Sequence, residues 1–176
     1  MTKASPIEDV RGWARRQAEQ YRGGEDRPLG GYLAVMGVYS AGVGAVALAG
    51  RLLGRSAPVQ VSPWDLAQIT VATHRIARTI SKDPVTSPIR APFTKYQGVS
   101  AAAELKEDVR SHSTLQHSIG ELLSCPMCLA QWVGTALTAG LVLSPRVTRL
   151  VAATFTAVAG ADFLQYVYAY LQQASE

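Results

Sequence analysis

The sequence predicts an all-α fold, a polytopic membrane helical bundle with three to four spans, an N-terminal amphipathic helix and a cytoplasmic loop. The prediction depends on two stretches that lack Lys, Arg, Asp and Glu: 23 residues between Arg27 and Arg51, and 24 residues between Glu121 and Arg146. About 20 helical residues cross a hydrocarbon core roughly 30 Å thick. A soluble helix of this length would show a charged face, so membrane spans are favoured over a soluble bundle.

The composition indicates that spans alternate with polar segments. Hydrophobic residues make up 48% of the 176 residues, and the net charge is +4. The mean hydropathy of +0.08 is too low for a chain that lies almost wholly in lipid. The pI of about 9.3 is explained by basic residues that flank the spans, so no nucleic-acid partner is predicted.

Residues 1–28 are predicted to form a basic cytoplasmic arm with one amphipathic helix. Ser5-Pro6-Ile7-Glu8 fits a capping box at the start of this helix, and Gly23-Gly24 ends it. The apolar stripe of the helix is narrow. A solvated helix packed on the domain is therefore favoured over a helix lying on an anionic leaflet.

The membrane helical domain is predicted to cover residues 29–172, followed by a tail at 173–176. Its spans are expected at about 29–53, 63–80, 122–143 and 145–172. Whether the second crosses fully is left open, because His74, Arg75 and Arg78 interrupt its second half. Charged side chains near a helix end can reach the interface, and this is favoured over burial in a functional cavity.

Residues 81–119 are predicted to form the cytoplasmic segment. Pro84, Pro88 and Pro92 exclude a continuous helix and favour extended backbone before each proline. A short helix capped by Ser100 is expected from Ala101 to about Arg110. A further helix is expected after Ser113, which with the next three residues fits a capping box.

The distribution of basic residues predicts the orientation. Six Lys and Arg residues lie in the N-terminal arm and five in the 81–119 segment, against four in the two opposite loops. Cytoplasmic loops carry the excess of Lys and Arg. The predicted location is the bacterial inner membrane, with both termini in the cytoplasm.

Cys125-Pro126-Met127-Cys128 is the first candidate site. Two thiols at this spacing at a helix start can form a disulfide or share a metal, and the helix dipole favours their thiolates. Zinc would need four ligands, which His112 and His117 would complete. Redox membrane proteins of this kind act on the opposite side from the one predicted for this pair. Two small buried residues are therefore favoured over a metal site, and a metal site over redox chemistry. No other cofactor is predicted.

A second candidate is an anion or lipid-headgroup site formed by Lys82, Thr86, Ser87 and Arg90, because basic groups beside hydroxyls suit a phosphate. Ordinary packing at the membrane edge is the favoured alternative.

The third candidate is Asp162, near the middle of the last span. An intramembrane carboxylate is costly unless it is paired or protonated. Arg75 or Arg78 is the expected partner, in a structural ion pair or along a polar pathway, and the ion pair is favoured.

Two stretches carry a resemblance to a known family. Residues 83–94, from Asp83 to Thr94, and residues 120–128, from Gly120 to Cys128, with Trp132, resemble a bacterial membrane-protein family known as domain of unknown function 1360. Some of its relatives are labelled sporulation proteins. The resemblance would cover about residues 29–172. It implies a multi-span membrane protein and supplies no activity.

Three hypotheses for the function follow. The first and favoured one is a non-enzymatic scaffold or accessory subunit whose cytoplasmic loop binds a protein partner or a second copy of the chain. The second is a thiol-redox or zinc-binding membrane protein using Cys125 and Cys128. The third is a small transporter or lipid-binding protein using Asp162 with Arg75 or Arg78.

Overall fold

The computed structural model describes residues 6–24, 27–55, 61–101 and 103–175. These residues form seven α-helices, one 3₁₀ turn at Pro84–Thr86 and one antiparallel pair of strands. In chain order the elements are α1 (Pro6–Arg22), α2 (Leu29–Leu52), α3 (Pro63–Lys82), α4 (Ser87–Arg90), β1 (Thr94–Ala101), β2 (Glu104–Val109), α5 (Thr114–Ser124), α6 (Pro126–Leu143) and α7 (Pro145–Ala174).

Serine side chains cap two of the helices, and the cap at Ser113 was predicted. The Ser62 hydroxyl accepts the backbone N–H of Trp64 at 3.3 Å, and the Ser113 hydroxyl accepts that of Gln116 at 3.2 Å. Each interaction satisfies a donor that the first turn leaves unpaired. The predicted helix of the N-terminal arm is confirmed as α1, while its Ser5 cap lies outside the described residues.

The helix predicted from Ala101 to Arg110 is wrong. This stretch contains the end of β1 and the whole of β2, joined by a turn in which Ala103 adopts a positive φ of 58°. On β2, Lys106 and Asp108 face solvent while Glu107 is covered. This alternation has the period of a strand. The strand forms in spite of the helix propensity of the alanines, because it points Glu107 towards the protein.

The prolines end α3 as predicted, and Asp83 before Pro84 has the expected extended backbone. The extended backbone expected before the other two prolines is wrong, because Ser87 and Ala91 are helical. Pro84 and Pro88 each lie in the first turn of a short helical segment. Proline suits that position because the N–H that it lacks would have no partner inside the helix. The Asp83 carboxylate caps the first of these turns by accepting the backbone N–H of Val85 at 3.0 Å.

Helices α3, α6 and α7 form the central bundle. Its core consists of Ile69, Ala72, Leu137 and Ala152. Two ion pairs show that α3 runs parallel to α7. Asp65 near the start of α3 pairs with Arg149 near the start of α7, and Arg75 farther along α3 pairs with Asp162. Helix α6 reaches α7 through the single residue Ser144, so these two helices are antiparallel neighbours as predicted.

Helix α2 lies at the side of this bundle, against α5 and α6. Gly31 lets its backbone approach Ser118 on α5 closely. Farther along, the Tyr39 hydroxyl lies 2.7 Å from the hydroxyl of Thr135, and the Tyr39 ring meets Trp132 edge-on at 5.1 Å between centroids. The contacts agree with the close packing expected of a glycine-rich helix. Most of the remaining surface of α2 is exposed and apolar.

Three of the described helices are long and apolar enough to cross a membrane: α2, α6 and α7. They correspond to the predicted spans at 29–53, 122–143 and 145–172, except that the second of these begins only at Pro126, because residues 122–124 belong to α5. Helix α3 is not apolar enough to meet this criterion, because its second half carries charged side chains. The helices are therefore compatible with a membrane location, while the number of crossings and the side on which the termini lie stay predictions.

Candidate ligand cleft and thiol pair

A cleft of about 510 Å³ lies between α3, α7 and the turn of the hairpin. One wall comes from α3, the opposite wall from α7, and the hairpin turn closes one end. The side chains that give the cleft its character are His74, Arg75, Arg78, Lys82, Glu104, Asp162, Phe163 and Tyr166. The cleft is therefore lined by charged groups on the α3 side and by both polar and aromatic groups on the α7 side.

The predicted ion pair of Asp162 is present in this cleft. Arg75 Nε lies 2.8 Å from Asp162 Oδ2. The Asp65–Arg149 pair joins the same two helices near their starts, with Nε 2.8 Å from Oδ1. Ten residues of α3 separate the two pairs, which corresponds to about 15 Å along a helix. Across a hydrocarbon core of roughly 30 Å, Asp162 would lie well inside the span when Asp65 is at one interface.

Arg78 was the other predicted partner of Asp162, and it pairs instead with Glu104. Glu104 is the first residue of β2, so this ion pair connects the hairpin to the C-terminal part of α3. Sequence reasoning missed Glu104 because a helix was expected there. Residues 104 to 109 carry three consecutive charged residues, so no alternation of charged and apolar residues identifies the strand in the sequence.

The aromatic residues of α7 indicate the depth of the cleft. Tyr166, Tyr168 and Tyr170 are between 64% and 71% exposed, all within the last third of the helix. Tyrosine is enriched where a span passes from lipid into the headgroup layer. Tyr166 lines the cleft together with Lys82, the last residue of α3. In a bilayer, the cleft would extend from headgroup level inwards to Asp162.

The predicted anion site at Lys82, Thr86, Ser87 and Arg90 is not assembled, because Arg90 is fully buried and its donors are already used. Its Nη1 donates to the carbonyl of Ile80 at 2.7 Å and to the Thr86 hydroxyl at 2.7 Å. The Thr86 hydroxyl in turn donates to a carbonyl of α3. Lys82 is the member of this set that lines the α3–α7 cleft.

Glu107 is the partner that sequence reasoning did not assign to Arg90. Its carboxylate receives Arg90 Nε at 2.8 Å and the Thr94 hydroxyl at 3.0 Å. Burial alone would raise the pKa of Glu107. The hydrogen bonds from Arg90 and Thr94 and the positive charges of Arg90 and Lys82 outweigh this, so its pKa is held below the usual value.

The two cysteines meet at the start of α6. Both are free thiols, Cys125 half-buried and Cys128 exposed, and their sulfur atoms lie 2.6 Å apart. Cys125 is the N-cap of α6, as predicted, and its sulfur accepts the backbone N–H of Cys128 at 3.2 Å. The Cys128 thiol donates to the same sulfur. Two donors and the helix N-terminus therefore favour negative charge on Cys125.

The histidines proposed as further zinc ligands do not join the cysteines. His112 is exposed in the loop before α5. His117 Nε2 lies 3.4 Å from Glu121 Oε1, one helical turn farther along α5. In the part of the chain that the structure describes, no three His, Cys, Asp or Glu residues are grouped as a metal site would require.

Glu121 connects the thiol pair to α2. Its carboxylate accepts the hydroxyl of Tyr32 and lies 4.0 Å from Arg27 Nη1. A groove of about 580 Å³ runs between α2, α5 and α6 beside it, lined by Tyr32, Val35, Met36, Ser118, Glu121, Leu122, Ser124, Cys125 and Cys128. The groove thus combines a dithiol and a carboxylate with an apolar wall.

Comparison with known proteins identifies one family. A family model described as a protein of unknown function (DUF1360) matches residues 68–168. This stretch contains most of α3 and α7, the hairpin and the thiol pair, while α1 and α2 lie outside it. The description of the family names no activity. No curated protein and no solved structure matches the chain.

Proposed function

Because the chain belongs to the DUF1360 family of proteins of unknown function, its activity has to be inferred from its own geometry, and we propose that it is an integral membrane protein that binds a phosphate-bearing lipid headgroup in the α3–α7 cleft. The proposal places the protein in the bacterial inner membrane, as the sequence predicts. Of the hypotheses drawn from the sequence, it therefore favours the third, a lipid-binding protein, over the first, a scaffold.

The observation that carries the proposal is the row of cations on one wall of the cleft. Arg75, Arg78 and Lys82 are spaced three and four residues apart on α3, so they share one face of the helix. All three line the cavity. Arg and Lys hold phosphate oxygens through short, charge-assisted hydrogen bonds. A row of this kind at headgroup level suits a lipid phosphate.

The aromatic wall of the cleft supports a lipid rather than a free anion. Phe163 and Tyr166 line the cavity, and both are 67% exposed. Leu164 and Val167, beside them on α7, are also exposed. A headgroup bound at Lys82 would leave its acyl chains against this apolar surface of the span.

Two of the acidic residues that line the cleft set the order in which the cations take part, while a third, Asp83, caps the turn after α3 through the N–H of Val85. Asp162 neutralises Arg75 deep in the cleft, and Glu104 neutralises Arg78 beside the hairpin turn. Lys82 forms no ion pair among the described residues, so we assign it the first contact with the phosphate. A bound phosphate would then compete with Glu104 for Arg78.

The test uses the purified full chain in a neutral detergent, titrated with short-chain phosphatidic acid while its thermal unfolding is followed. We expect the lipid to raise Tm in a saturable way. Short-chain phosphatidylcholine should give little shift, because its choline offsets the phosphate charge. Lys82→Gln should weaken binding of phosphatidic acid about tenfold, the size of one charge-assisted hydrogen bond.

Lys95→Gln is the matched control, because Lys95 is exposed on β1 and lies outside the cleft. It should bind like the unmodified chain. Equal shifts with phosphatidylcholine, or equal weakening by both substitutions, would contradict the proposal. A shift of the same size with inorganic phosphate would reassign the cleft to a free anion.

The scaffold is the second candidate, and the hairpin favours it. Tyr96 and Val99 on β1 are 64% and 67% exposed. The two-stranded sheet leaves the outer edge of each strand without a third strand in the described chain, and such edges accept further strands. The pair Tyr96→Ser and Val99→Ser should abolish association with a partner while leaving the Tm shift with phosphatidic acid intact.

A further inference from the structure

We infer that Cys125 and Cys128 form a thiol–disulfide exchange site whose substrate is an uncharged or apolar organic disulfide bound in the groove between α2, α5 and α6. The inference is independent of lipid binding, because the groove and the cleft share no lining residue. It goes beyond the pairing of two thiols by assigning a role to each sulfur and by including Glu121.

The hydrogen bonds around the sulfurs identify the attacking thiol. Cys125 accepts both the backbone N–H and the thiol of Cys128, at 3.2 and 2.6 Å. It also lies at the N-terminus of an 18-residue helix. These donors stabilise the thiolate, which is the nucleophile in exchange. Cys125 is therefore the attacking residue, and Cys128, one turn into the helix, is the resolving residue.

The groove provides the place for a substrate. Val35 and Met36 on α2 and Leu122 on α5 give it an apolar wall, and both sulfurs open into it. Glu121 contributes a carboxylate to the same groove, and its negative charge favours the neutral thiol at Cys128. A carboxylate repels anionic disulfides such as oxidised glutathione, whereas the apolar wall favours an uncharged one.

The reaction balances in two steps. The Cys125 thiolate attacks one sulfur of the substrate disulfide, whose S–S bond breaks, and the departing thiolate takes a proton from water. Cys128 then gives its proton to Glu121 and attacks the Cys125 sulfur, forming the Cys125–Cys128 disulfide and releasing the second thiolate, which takes the proton back from Glu121. Two electrons pass from the dithiol to the substrate, which leaves as two thiols.

The first experiment identifies the roles of the two sulfurs. The purified full chain is incubated with bis(2-hydroxyethyl) disulfide and then alkylated, and its mass is measured. The unmodified chain should form an internal disulfide and take up no alkyl label. Cys128→Ser should accumulate a mixed disulfide at Cys125, at least tenfold faster than Cys125→Ser does at Cys128. Equal rates in the two variants, or full alkylation of the unmodified chain, would overturn the inference.

The second experiment tests Glu121. At pH 7 Glu121→Gln should slow the resolving step about 100-fold, the lower part of the range for a positioned base. The deficit should shrink as pH rises, because hydroxide then removes the Cys128 proton. Asp108→Asn, an exposed carboxylate on β2, is the control and should change nothing. A deficit that is constant with pH would show that Glu121 only supports the fold. Faster reaction with oxidised glutathione than with the uncharged disulfide would overturn the substrate assignment.

Discussion

Arg90 binds the carboxylate of Glu107 through two parallel hydrogen bonds, with Nε 2.8 Å from Oε2 and Nη2 2.9 Å from Oε1. The Arg90 side chain has no exposed surface, and the Glu107 side chain is 7% exposed. The remaining donors of Arg90 bind the carbonyls of Ile80 and Asp83 at the end of α3 and the hydroxyl of Thr86. This single guanidinium therefore fixes the hairpin to α3, and so places Glu104 at the mouth of the cleft.

Removing one partner of this pair should release the hairpin. Glu107→Gln leaves the Arg90 charge buried without a counter-ion, which costs about 3 kcal/mol when such a pair is broken. We expect hydrogen exchange of the amides in residues 94–109 to accelerate accordingly, with little change in the core of α3, α6 and α7. Asp108→Asn, on the exposed face of the same strand, should leave the exchange unchanged. Equal protection in both variants would show that the pair does not hold the hairpin.

The same pair should make the hairpin sensitive to acid. Because folding lowers the pKa of Glu107, its ionised form contributes stability above the pKa of the unfolded carboxyl, about 4.3. That contribution is lost as pH falls through the lower folded value. Protection of the hairpin amides, corrected for intrinsic exchange, should be level from pH 7 to pH 5 and fall below about pH 4. In Glu107→Gln this acid-dependent loss should disappear, and its persistence would assign it to another carboxylate.

Helix starts were predictable because their signals are local. Ser62 and Ser113 precede their helices with a hydroxyl that reaches the first turn. Pro126 is the first residue of its helix, where the N–H that proline lacks would have no partner inside the helix. The two long uncharged stretches predicted α2 and α6 for the same reason, and α7 was predicted as the apolar span at 145–172. Each of these features is determined within a few neighbouring residues.

The hairpin was not predictable on that basis, because its cause is distant in the chain. The alanines before Glu104 favour a helix, and the strand forms because Glu107 meets Arg90, 17 residues away. The same contact removed Arg90 from the predicted anion site. The pairing of Asp162 with Arg75 was predicted, since a charge in a span needs a partner, but the choice of Arg75 over Arg78 depends on Glu104.

The contact of α2 with α5 predicts a difference between two glycines of the same helix. A Cβ at Gly31 would collide with the Ser118 side chain and the carbonyl of Thr114, whereas a Cβ at Gly37 meets nothing within 4 Å. Gly31→Ala should lower the free energy of unfolding by about 1–3 kcal/mol, the usual cost of overpacking. Gly37→Ala should be neutral or slightly stabilising, because alanine is the better helix former.

Thermal unfolding of the two purified glycine variants in the same detergent measures this difference. Cys128 alkylation provides a second readout, since displacement of α2 opens the groove that the thiol lines. Gly31→Ala should react faster than the unmodified chain, and Gly37→Ala at the same rate. Similar behaviour of the two variants would mean that α2 does not pack on α5 through Gly31.

The Arg75–Asp162 pair predicts a non-additive double substitution. Asp162→Asn leaves the half-buried Arg75 side chain without its counter-ion, and an uncompensated charge that is partly removed from water is unfavourable. Arg75→Gln leaves the carboxylate alone, and the double variant removes both charges. The two side chains are 24% and 37% exposed, so we expect a moderate coupling energy of about 1 kcal/mol. Thermal unfolding of the two single variants and the double variant measures this coupling energy. Arg146→Gln, which removes an exposed cation at the start of α7, is the control. Additive losses would mean that the two charges are solvated separately and that Asp162 is available to a ligand on its own.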